Sequence, residues 1–375
     1  MIVLHVISGL KNGGAESQLA QLVAKDQVNE HHVISMQDAG FFGEPIIEAG
    51  IPLIEAKMPS GKLSLSGLRI LFKAIRTIKP DVIQTWMYHG DLVGGIVGRL
   101  AGCANINWGV HHTSLDKTHT SKMTLAVVKI CAMLSGIVPK SIICCARSTR
   151  DLHLDAGYKS DKLTVAYNGY DPDRFFFSEP LRSLFRSENA IPEKEFVFGM
   201  VGRWNPLKDH KNLIDALEKL EASGLAHWRC LMVGNEVDES NTKLTEWIRQ
   251  AGLGHRISLL GPRRDIEVVM SAIDVLVLPS VSEAFPNVVA EAMLTERPCV
   301  VTDVGDSASM VGDHGWVVPA KDSDALFRSL KLAVGEFESS DIWSERGRHA
   351  RQRIIDNFGS KKMIQSYSDI WRQGR

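Results

Sequence analysis

In residues 274–292, DVLVLPSVSEAFPNVVAEA, an apolar run leads through a polar turn into a helical pattern. Continuous Val and Leu residues, as in Asp274–Leu278, are typical of a strand buried on both faces in a parallel sheet. Pro286 suits the first turn of a helix, so we expect a helix to begin near it. Glu283 then lies in the turn before this helix, and Glu291 lies more than one turn inside it.

Similar apolar runs alternate with helical patterns along the rest of the chain. The predicted strands are Ile2–Ile7, His32–Ser35, Asp81–Thr85, Ile106–Val110, Ser141–Cys145 and Thr164–Tyr167 in the first half, and Phe196–Val201, Arg229–Val233, Arg256–Leu260, Pro298–Val301 and Trp316–Val318 with the run above in the second. Two sets of about six strands favour two Rossmann-like domains. A (β/α)8 barrel is the alternative, but eight evenly spaced units do not emerge.

The domain boundary is predicted near 168–180, where Gly169 and Pro172 interrupt the pattern. We therefore predict an α/β protein of two parallel-sheet domains, 1–170 and 171–357, that face each other across a cleft. Apolar residues at helical spacing near the end of the chain predict a helix within 358–375 that docks back on the first domain. Ligands of open α/β sheets bind at the carboxyl ends of the strands, so the turns there are the candidate sites.

Charge and cysteine content limit the possible functions. The formal net charge is −1, which argues against a nucleic acid partner. Residues 1–170 nevertheless hold 17 basic and 13 acidic side chains.

None of the six cysteines forms a C-x-x-C pair, so we expect reduced thiols in a cytoplasmic protein. The first residues read as a strand rather than a signal peptide, and no run of 18 uncharged apolar residues is present.

Two further turns carry residues suited to anion binding. Gly13 and Gly14 follow the first predicted strand and open a helix, where backbone N–H groups can meet an anion; a plain turn is the alternative. The absence of a G-x-G-x-x-G pattern argues against a dinucleotide site. Arg203 and Lys208 lie beside another predicted helix start, where two cations repel each other unless an anion lies between them. A diphosphate suits this position, and two solvated surface cations are the alternative.

Taken together, these motifs resemble glycosyltransferase family 4, whose members are retaining enzymes of the GT-B fold. The resemblance runs along essentially the whole chain. Its motifs are the Glu-x7-Glu pair Glu283 and Glu291, the glycine loop Gly13-Gly14-Ala15-Glu16, Asn168-Gly169-Tyr170-Asp171, the pair Arg203 and Lys208, and Thr302-Asp303-Val304-Gly305. Two positions depart from the family pattern: Asp209 follows Lys208, and Ala284 replaces a frequent glycine.

The resemblance implies a role for each of these residues. Arg203 and Lys208 would hold the donor diphosphate and stabilise the leaving group, Glu283 would bind sugar hydroxyls near the anomeric centre, and Glu291 would bind the ribose. Further donor-binding candidates are Gly13, Gly14, Ala284, Phe285, Asn287 and Arg264. No divalent metal or other cofactor is expected, because these cations already supply positive charge; Asp171-Pro172-Asp173 is interpreted as a chance match to the metal-binding D-x-D pattern.

The first domain should supply a histidine to the active site. The family's histidine aligns best with His112, because a small hydroxyl residue follows it, and His111 is the alternative. His89, which follows the strand Asp81–Thr85, is a second candidate for the cleft, and Asn168 is a further candidate on the acceptor side. An ordinary loop position remains the alternative for each histidine.

The implied reaction is transfer of a sugar from a nucleotide diphosphate sugar, with UDP as the expected nucleotide, to a hydroxyl acceptor. It is that of a hexosyltransferase that retains the anomeric configuration. A lipid-linked intermediate of cell-surface polysaccharide biosynthesis is the expected acceptor; a lipopolysaccharide core or a small soluble molecule is the alternative. A sugar-nucleotide epimerase of the GT-B fold and a catalytically silent nucleotide-sugar-binding protein are the rival functions.

The segment Ser121–Arg150 mixes apolar and basic residues. Such a segment suits peripheral contact with the inner face of the membrane, which would fit a lipid-linked acceptor. A core helix with a solvated basic rim is the alternative.

Overall fold

A computed structural model describes residues 1–111, 115 and 120–373, so His112 lies outside the described residues. The strands are β1 (Ile2–Ile7), β2 (Glu30–Ser35), β3 (Leu53–Glu55), β4 (Val82–Trp86), β5 (Ile106–Val110), β6 (Ser141–Cys144), β7 (Leu163–Val165), β8 (Phe196–Val201), β9 (Trp228–Val233), β10 (Ile257–Leu259), β11 (Val275–Leu278), β12 (Cys299–Thr302) and β13 (Trp316–Val318). All twelve predicted strands form, with ends that shift by at most two residues. The short strand β3 was not predicted.

Helices follow nearly every strand, as buried parallel strands require. They are α1 (Gly14–Lys25), α2 (Gly43–Glu48), α3 (Leu65–Ile78), α4 (Met87–Leu100), α5 (Lys122–Leu134), α6 (Arg147–Asp155), α7 (Glu179–Glu188), α8 (His210–Ala222), α9 (Thr242–Gln250), α10 (Ile266–Ala272), α11 (Asn287–Leu294), α12 (Ser307–Val311), α13 (Ser323–Phe337), α14 (Ser340–Phe358) and α15 (Ser360–Gln373). No helix in the described part of the chain is long and apolar enough to cross a bilayer.

The chain forms two compact units, residues 1–169 with the chain from 360 onward, and residues 170–359. The sheet of the first unit has the order β3-β2-β1-β4-β5-β6-β7, and that of the second has the order β10-β9-β8-β11-β12-β13. Every strand pairing in both sheets is parallel. Two Rossmann-like sheets are therefore present, as predicted, and the barrel alternative is wrong.

The last helix, α15, packs against the sheet of the first unit. Its residues Met363, Tyr367, Ile370 and Trp371 are buried in one cluster with Ile7, Trp86 and Ile143. The Trp371 indole donates to Gln84 Oε1 at 3.0 Å, and the Asn105 amide donates to the Trp371 carbonyl at 2.8 Å. Both apolar burial and paired polar groups thus hold this helix.

In the second unit, buried ion pairs fix the start of β11. Asp274 is fully buried and accepts from Arg182 at 2.7 Å, Arg186 at 2.8 Å and the Val197 N–H at 2.7 Å. A buried carboxylate is tolerated only when charges and donors surround it, as they do here. Asp274 thereby anchors the amino end of β11, the strand that leads into the turn containing Glu283.

Candidate functional site

Three turns of the second unit meet at the carboxyl ends of β8, β11 and β12. The Val281 N–H donates to the Leu207 carbonyl at 2.8 Å, and the Asp306 N–H donates to the Ala284 carbonyl at 3.0 Å. The Thr302 hydroxyl donates to the Ser280 carbonyl at 2.6 Å. Because carboxyl ends of parallel strands share one edge of the sheet, residues far apart in sequence meet here.

Lys208 and Glu283 form an ion pair within this group of turns. Lys208 Nζ lies 2.6 Å from Glu283 Oε1, and the Ser280 hydroxyl donates to the same oxygen at 2.6 Å. The Lys208 side chain is 21% exposed and that of Glu283 is 11% exposed, so water screens the pair only in part. The structure thus brings together two of the predicted catalytic residues and adds Ser280, which was not predicted.

Local backbone geometry presents this pair. Asn205 Oδ1 accepts the Leu207 N–H at 2.9 Å and starts a single 3-10 turn, Pro206–Lys208. Gly305 lies against the backbone of Glu283, where an added Cβ atom would lie 2.1 Å from the Glu283 carbonyl oxygen. Since Gly305 also has a φ of +58°, only glycine fits there, which gives the Thr-x-x-Gly motif a structural reason.

Arg203 lies at the start of the same turn as Lys208. It is exposed, and within the described part of the chain its side chain has no hydrogen bond or ion pair. The turn therefore holds two cations and one paired carboxylate. Because like charges repel, such an arrangement is best stabilised by an anion.

Arg264, the other predicted cation, lies in the turn after β10 and is exposed. Its neighbour Arg263 is already engaged within the unit: its Nε atom lies 2.9 Å from Asp265 Oδ1, and its guanidinium lies 5.1 Å from the centre of the Phe185 ring. The strand β10 is separated from β11 by β9 and β8. A role of Arg264 in binding the base stays a prediction.

Glu291 lies on α11, which begins at Asn287 after Pro286, as the sequence predicts. Burial raises the pKa of Glu291 to about 7, Glu267 contributes in the same direction, and Arg174 opposes the increase. When Glu291 is ionised, its buried carboxylate has lost hydration. A hydrogen bond donated by a hydroxyl group would compensate for that loss.

Aromatic contacts hold the turn that precedes α11. The Phe285 ring is stacked on Tyr170, with centroids 6.3 Å apart, and meets Phe358 edge to face at 5.1 Å. The Tyr170 hydroxyl donates to Asn287 Oδ1 at 2.9 Å. Sequence reasoning named Phe285 and Asn287 as donor-binding residues but missed their neighbour Tyr170.

Gly13 and Gly14 belong to the first unit and lie at the start of α1. A Cβ atom at Gly13 would lie 2.4 Å from the Glu16 carboxylate, which folds back over the start of its own helix. Burial raises the pKa of Glu16. The flexible Glu16 side chain can move away from such an atom, so this contact does not by itself require glycine at position 13, and the donor-binding role of both glycines stays a prediction.

The described candidate histidines follow two neighbouring strands of the first unit. His111 comes directly after β5, and its ring is stacked on Trp86 with centroids 5.2 Å apart. His89 lies in the first turn of α4; its Nε2 atom is buried without a hydrogen-bond partner among the described residues, and burial lowers its pKa. Asn168, which follows β7, is buried.

Two buried residues hold the strands that lead to these histidines. The Trp86 indole donates to His5 Nδ1 at 3.1 Å, which fixes the ring on which His111 lies. Asp91 Oδ1 accepts from the Thr85 hydroxyl at 2.6 Å and from the Gly109 N–H at 3.1 Å, and burial raises the pKa of Asp91 well above its ordinary value. Asp91 was missed, although an acid in the apolar, glycine-rich run 90–98 was a usable signal.

Within the described residues, no group of three or more His, Cys, Asp and Glu side chains is placed to hold a metal ion. This finding leaves the predicted independence from metals as a prediction.

Family models match both units. The model described as "Glycosyl transferases group 1" matches residues 182–350, and the model "Glycosyltransferase Family 4" matches residues 12–174.

Comparison with curated proteins gives distant relatives of similar length. An Escherichia coli protein named UDP-Gal:alpha-D-GlcNAc-diphosphoundecaprenol alpha-1,3-galactosyltransferase is 24% identical over 82% of this chain and 79% of its own length. A Bacillus subtilis protein named putative glycosyltransferase EpsF is 24% identical over 80% of this chain and 79% of its own length.

Solved structures share the fold over the full length. Anabaena HepE in complex with UDP has a TM-score of 0.85 and 24% identity, and covers 100% of both chains. WaaG, described as a glycosyltransferase involved in lipopolysaccharide biosynthesis, has a TM-score of 0.74 and 16% identity, and covers 99% of both chains. At this level of identity, the likeness shows the GT-B-type pair of parallel-sheet units and nothing finer.

Proposed function

Since this chain belongs to the group 1 glycosyltransferases, we propose that it moves a sugar from a UDP-sugar to a hydroxyl acceptor with retained anomeric configuration. The observation that carries the proposal is the ion pair between Lys208 Nζ and Glu283 Oε1, at 2.6 Å, beside the exposed Arg203. Two cations at one turn suit the diphosphate, and a fixed carboxylate suits the hydroxyls of the sugar.

The contacts of Glu283 support a same-face substitution. A carboxylate that accepts from both Lys208 and Ser280 is a weakened nucleophile, because its charge is already compensated. In the proposed step, the bond from the anomeric carbon to the diphosphate breaks and the bond to the acceptor oxygen forms on the same face. The acceptor proton goes to the departing diphosphate oxygen, and Arg203 and Lys208 stabilise the charge that develops there.

The names of similar proteins support UDP as the nucleotide and a lipid-linked acceptor. The Escherichia coli relative is named for UDP-Gal and for a diphosphoundecaprenol acceptor. Anabaena HepE was crystallised with UDP and with UDP-glucose. We propose the same classes of donor and acceptor for this chain, in the biosynthesis of a cell-surface polysaccharide.

Helix α5 supports contact with a membrane surface. One of its faces carries an exposed apolar stripe, which continues past the end of the helix; its members are Met123 (51% exposed), Ile130 (39%), Met133 (71%) and Ile137 (74%). Lys122 and Lys129 are exposed beside it, and Val128 and Cys131 on the opposite face are buried. An apolar stripe flanked by lysines suits the surface of an anionic bilayer, so we propose peripheral binding there.

The donor proposal is tested by calorimetric titration of UDP, GDP and ADP into the protein without added metal. Tight binding of UDP alone is expected. Preference for another nucleotide would contradict the UDP assignment. Incubation with UDP-sugars in the absence of an acceptor tests the rival function, because an epimerase would produce the epimeric UDP-sugar.

The membrane proposal is tested by sedimentation with vesicles that contain anionic lipid. The double variant Met133→Glu, Ile137→Glu should lose vesicle binding, because it places two charges on the stripe. Leu332→Glu with Ile342→Glu is the matched control, since these residues are exposed apolar side chains of the second unit (61% and 54%). Sedimentation of the wild-type protein that does not depend on vesicles would contradict the proposal.

A further inference from the structure

We propose that Tyr170 is a positioning residue of the donor site. Its hydroxyl orients the Asn287 amide at the start of α11. Its backbone lies where the chain enters the second unit, beside the point where the chain leaves it. The inference rests on the proposed function, because it assumes that the turn before α11 binds the donor. Nothing in the family motifs assigns a role to the Tyr170 side chain.

A hydrogen bond joins the side chains of Tyr170 and Asn287. The Tyr170 hydroxyl donates to Asn287 Oδ1 at 2.9 Å. A side-chain amide has one acceptor oxygen and one nitrogen that donates, so a donor at Oδ1 fixes which way the amide faces. The amide nitrogen is thereby directed away from Tyr170, and Asn287 is the first residue of α11, where backbone N–H groups suit an anion.

Tyr170 itself is held in place by its surroundings. The residue is only 3% exposed, and its ring is stacked on Phe285. Its backbone N–H donates to the Phe358 carbonyl at 2.9 Å, and the Phe358 ring also meets Phe285. Tyr170, Phe285 and Phe358 thus form one packed group against the turn that leads into Asn287.

This packed group lies where the chain enters and leaves the second unit. Tyr170 and Gly359 are paired by a parallel bridge, and they are the first and last residues of the second unit. On the other side of the crossing, a Cβ atom at Gly169 would lie 2.7 Å from Met363 Cβ and 2.9 Å from Ser360 Cα. The two chain crossings therefore lie side by side, and Tyr170 connects them directly to a donor-binding turn.

The test is a titration of UDP into the wild-type protein, Tyr170→Phe and Tyr88→Phe. Tyr170→Phe removes only the hydroxyl and should weaken UDP binding about tenfold. Tyr88→Phe is the matched control, because Tyr88 is 2% exposed and its hydroxyl also makes one buried hydrogen bond, to His153 at 2.9 Å. A purely structural role predicts lower stability in both variants and unchanged UDP affinity in both.

A double-mutant cycle shows whether Tyr170 acts through Asn287. Adding Tyr170→Phe to Asn287→Ala should cause no further loss of UDP affinity, whereas additive losses would overturn the proposed route. Equal UDP binding by wild-type protein and Tyr170→Phe overturns the inference alone. Absence of UDP binding by the wild-type protein overturns the proposed UDP specificity, and the inference with it.

Hydrogen exchange on the wild-type protein gives a readout that does not depend on any variant. UDP should slow exchange in the segments 169–171 and 358–360, because the turn before α11 is hydrogen-bonded to Tyr170 and packs against the Phe358 ring. Unchanged exchange in these segments at saturating UDP would overturn the inference.

Discussion

The carboxyl ends of the two sheets differ in their candidate functional residues. In the second unit the turns present charge: Arg203, Lys208 and Glu283 lie around one sheet edge. In the first unit the corresponding edge carries the described candidate histidines, of which His111 is stacked on the buried Trp86 ring. A diphosphate needs fixed cations, which is why the proposed donor site is assigned to the second unit and the candidate histidines to the proposed acceptor site.

The largest expected effect comes from removing the cations of the second unit. Lys208→Ala should lower kcat by roughly 10²–10³, about 3–4 kcal/mol of transition-state stabilisation, because it removes a donor from the developing diphosphate charge and leaves Glu283 without its cation. Arg203→Ala should have an effect of the same order. Both are measured as turnover of UDP-sugar with acceptor at saturation.

Lys211→Ala is the matched control for these variants. Lys211 lies three positions from Lys208, on α8, and is paired with Asp215 of its own helix. Its loss should change turnover by less than twofold. If Lys208→Ala and Arg203→Ala both turned over at nearly the wild-type rate, the assignment of diphosphate binding to this turn would be wrong.

The next effect concerns the pH dependence of donor binding. With its pKa raised to about 7, Glu291 is mostly ionised at pH 8 and mostly protonated at pH 6. If the ionised form binds the ribose, UDP affinity should fall by up to about tenfold as the pH decreases from 8 to 6. Titrations of wild-type protein and Glu291→Gln at both pH values measure this, and the wild type should lose more affinity than the variant, in which only the terminal phosphate of UDP titrates over this range.

The raised pKa of Glu291 also affects the stability of the folded protein. Because the pKa of folded Glu291 lies above its ordinary value of 4.5, the folded protein binds this proton more tightly than the unfolded chain does. Its unfavourable contribution therefore develops as the pH rises from about 4.5 through 7. Glu291→Gln should increase Tm relative to the wild type more at pH 8 than at pH 5, and an equal difference at both values would contradict the raised pKa.

A smaller effect is expected in the first unit. His112→Ala should lower kcat/KM for the acceptor about fivefold, by loss of roughly one neutral hydrogen bond, and leave UDP affinity unchanged. Kinetics with varied acceptor and titration of UDP separate the two parameters. His111→Ala is the parallel variant, and the one with the larger loss identifies the active-site histidine. Weaker UDP binding in either variant would break the division between the two edges.

The smallest effect belongs to Ser280. Ser280→Ala removes one of the two donors to Glu283 Oε1 and keeps the ion pair with Lys208. The KM for the donor should increase about threefold, near the lower end of the roughly 0.5–1.5 kcal/mol that one hydrogen bond contributes, because the ion pair with Lys208 remains. Ser282→Ala, two positions away in the same turn, is the control, and an equal effect of both substitutions would contradict a specific role of Ser280.

The sequence predicted the sheets well because their strands are continuous apolar runs. The bounds of β1, β5, β8 and β13 agree with the prediction residue for residue. The strand β3 was missed because its apolar run is only two residues long, Leu53 and Ile54, and directly follows Pro52, which is rare inside strands.

The candidate site was predictable as single residues but not as contacts. Arg203, Lys208 and Glu283 each follow a recognisable strand, so their positions in turns could be predicted. The partners Lys208 and Glu283 are 75 positions apart, and Tyr170 and Asn287 are 117 apart. Such pairings depend on side-chain geometry at the sheet edge, which no spacing in the sequence encodes.

The return of α15 to the first unit has a consequence for biosynthesis. During translation, residues 170–359 emerge as one contiguous block and can fold as they leave the ribosome. The first unit begins earlier but must wait for residues 360–373, whose Tyr367 and Trp371 cover Trp86. Until then its sheet keeps an apolar face open to chaperones, so the part of the protein made first is completed last.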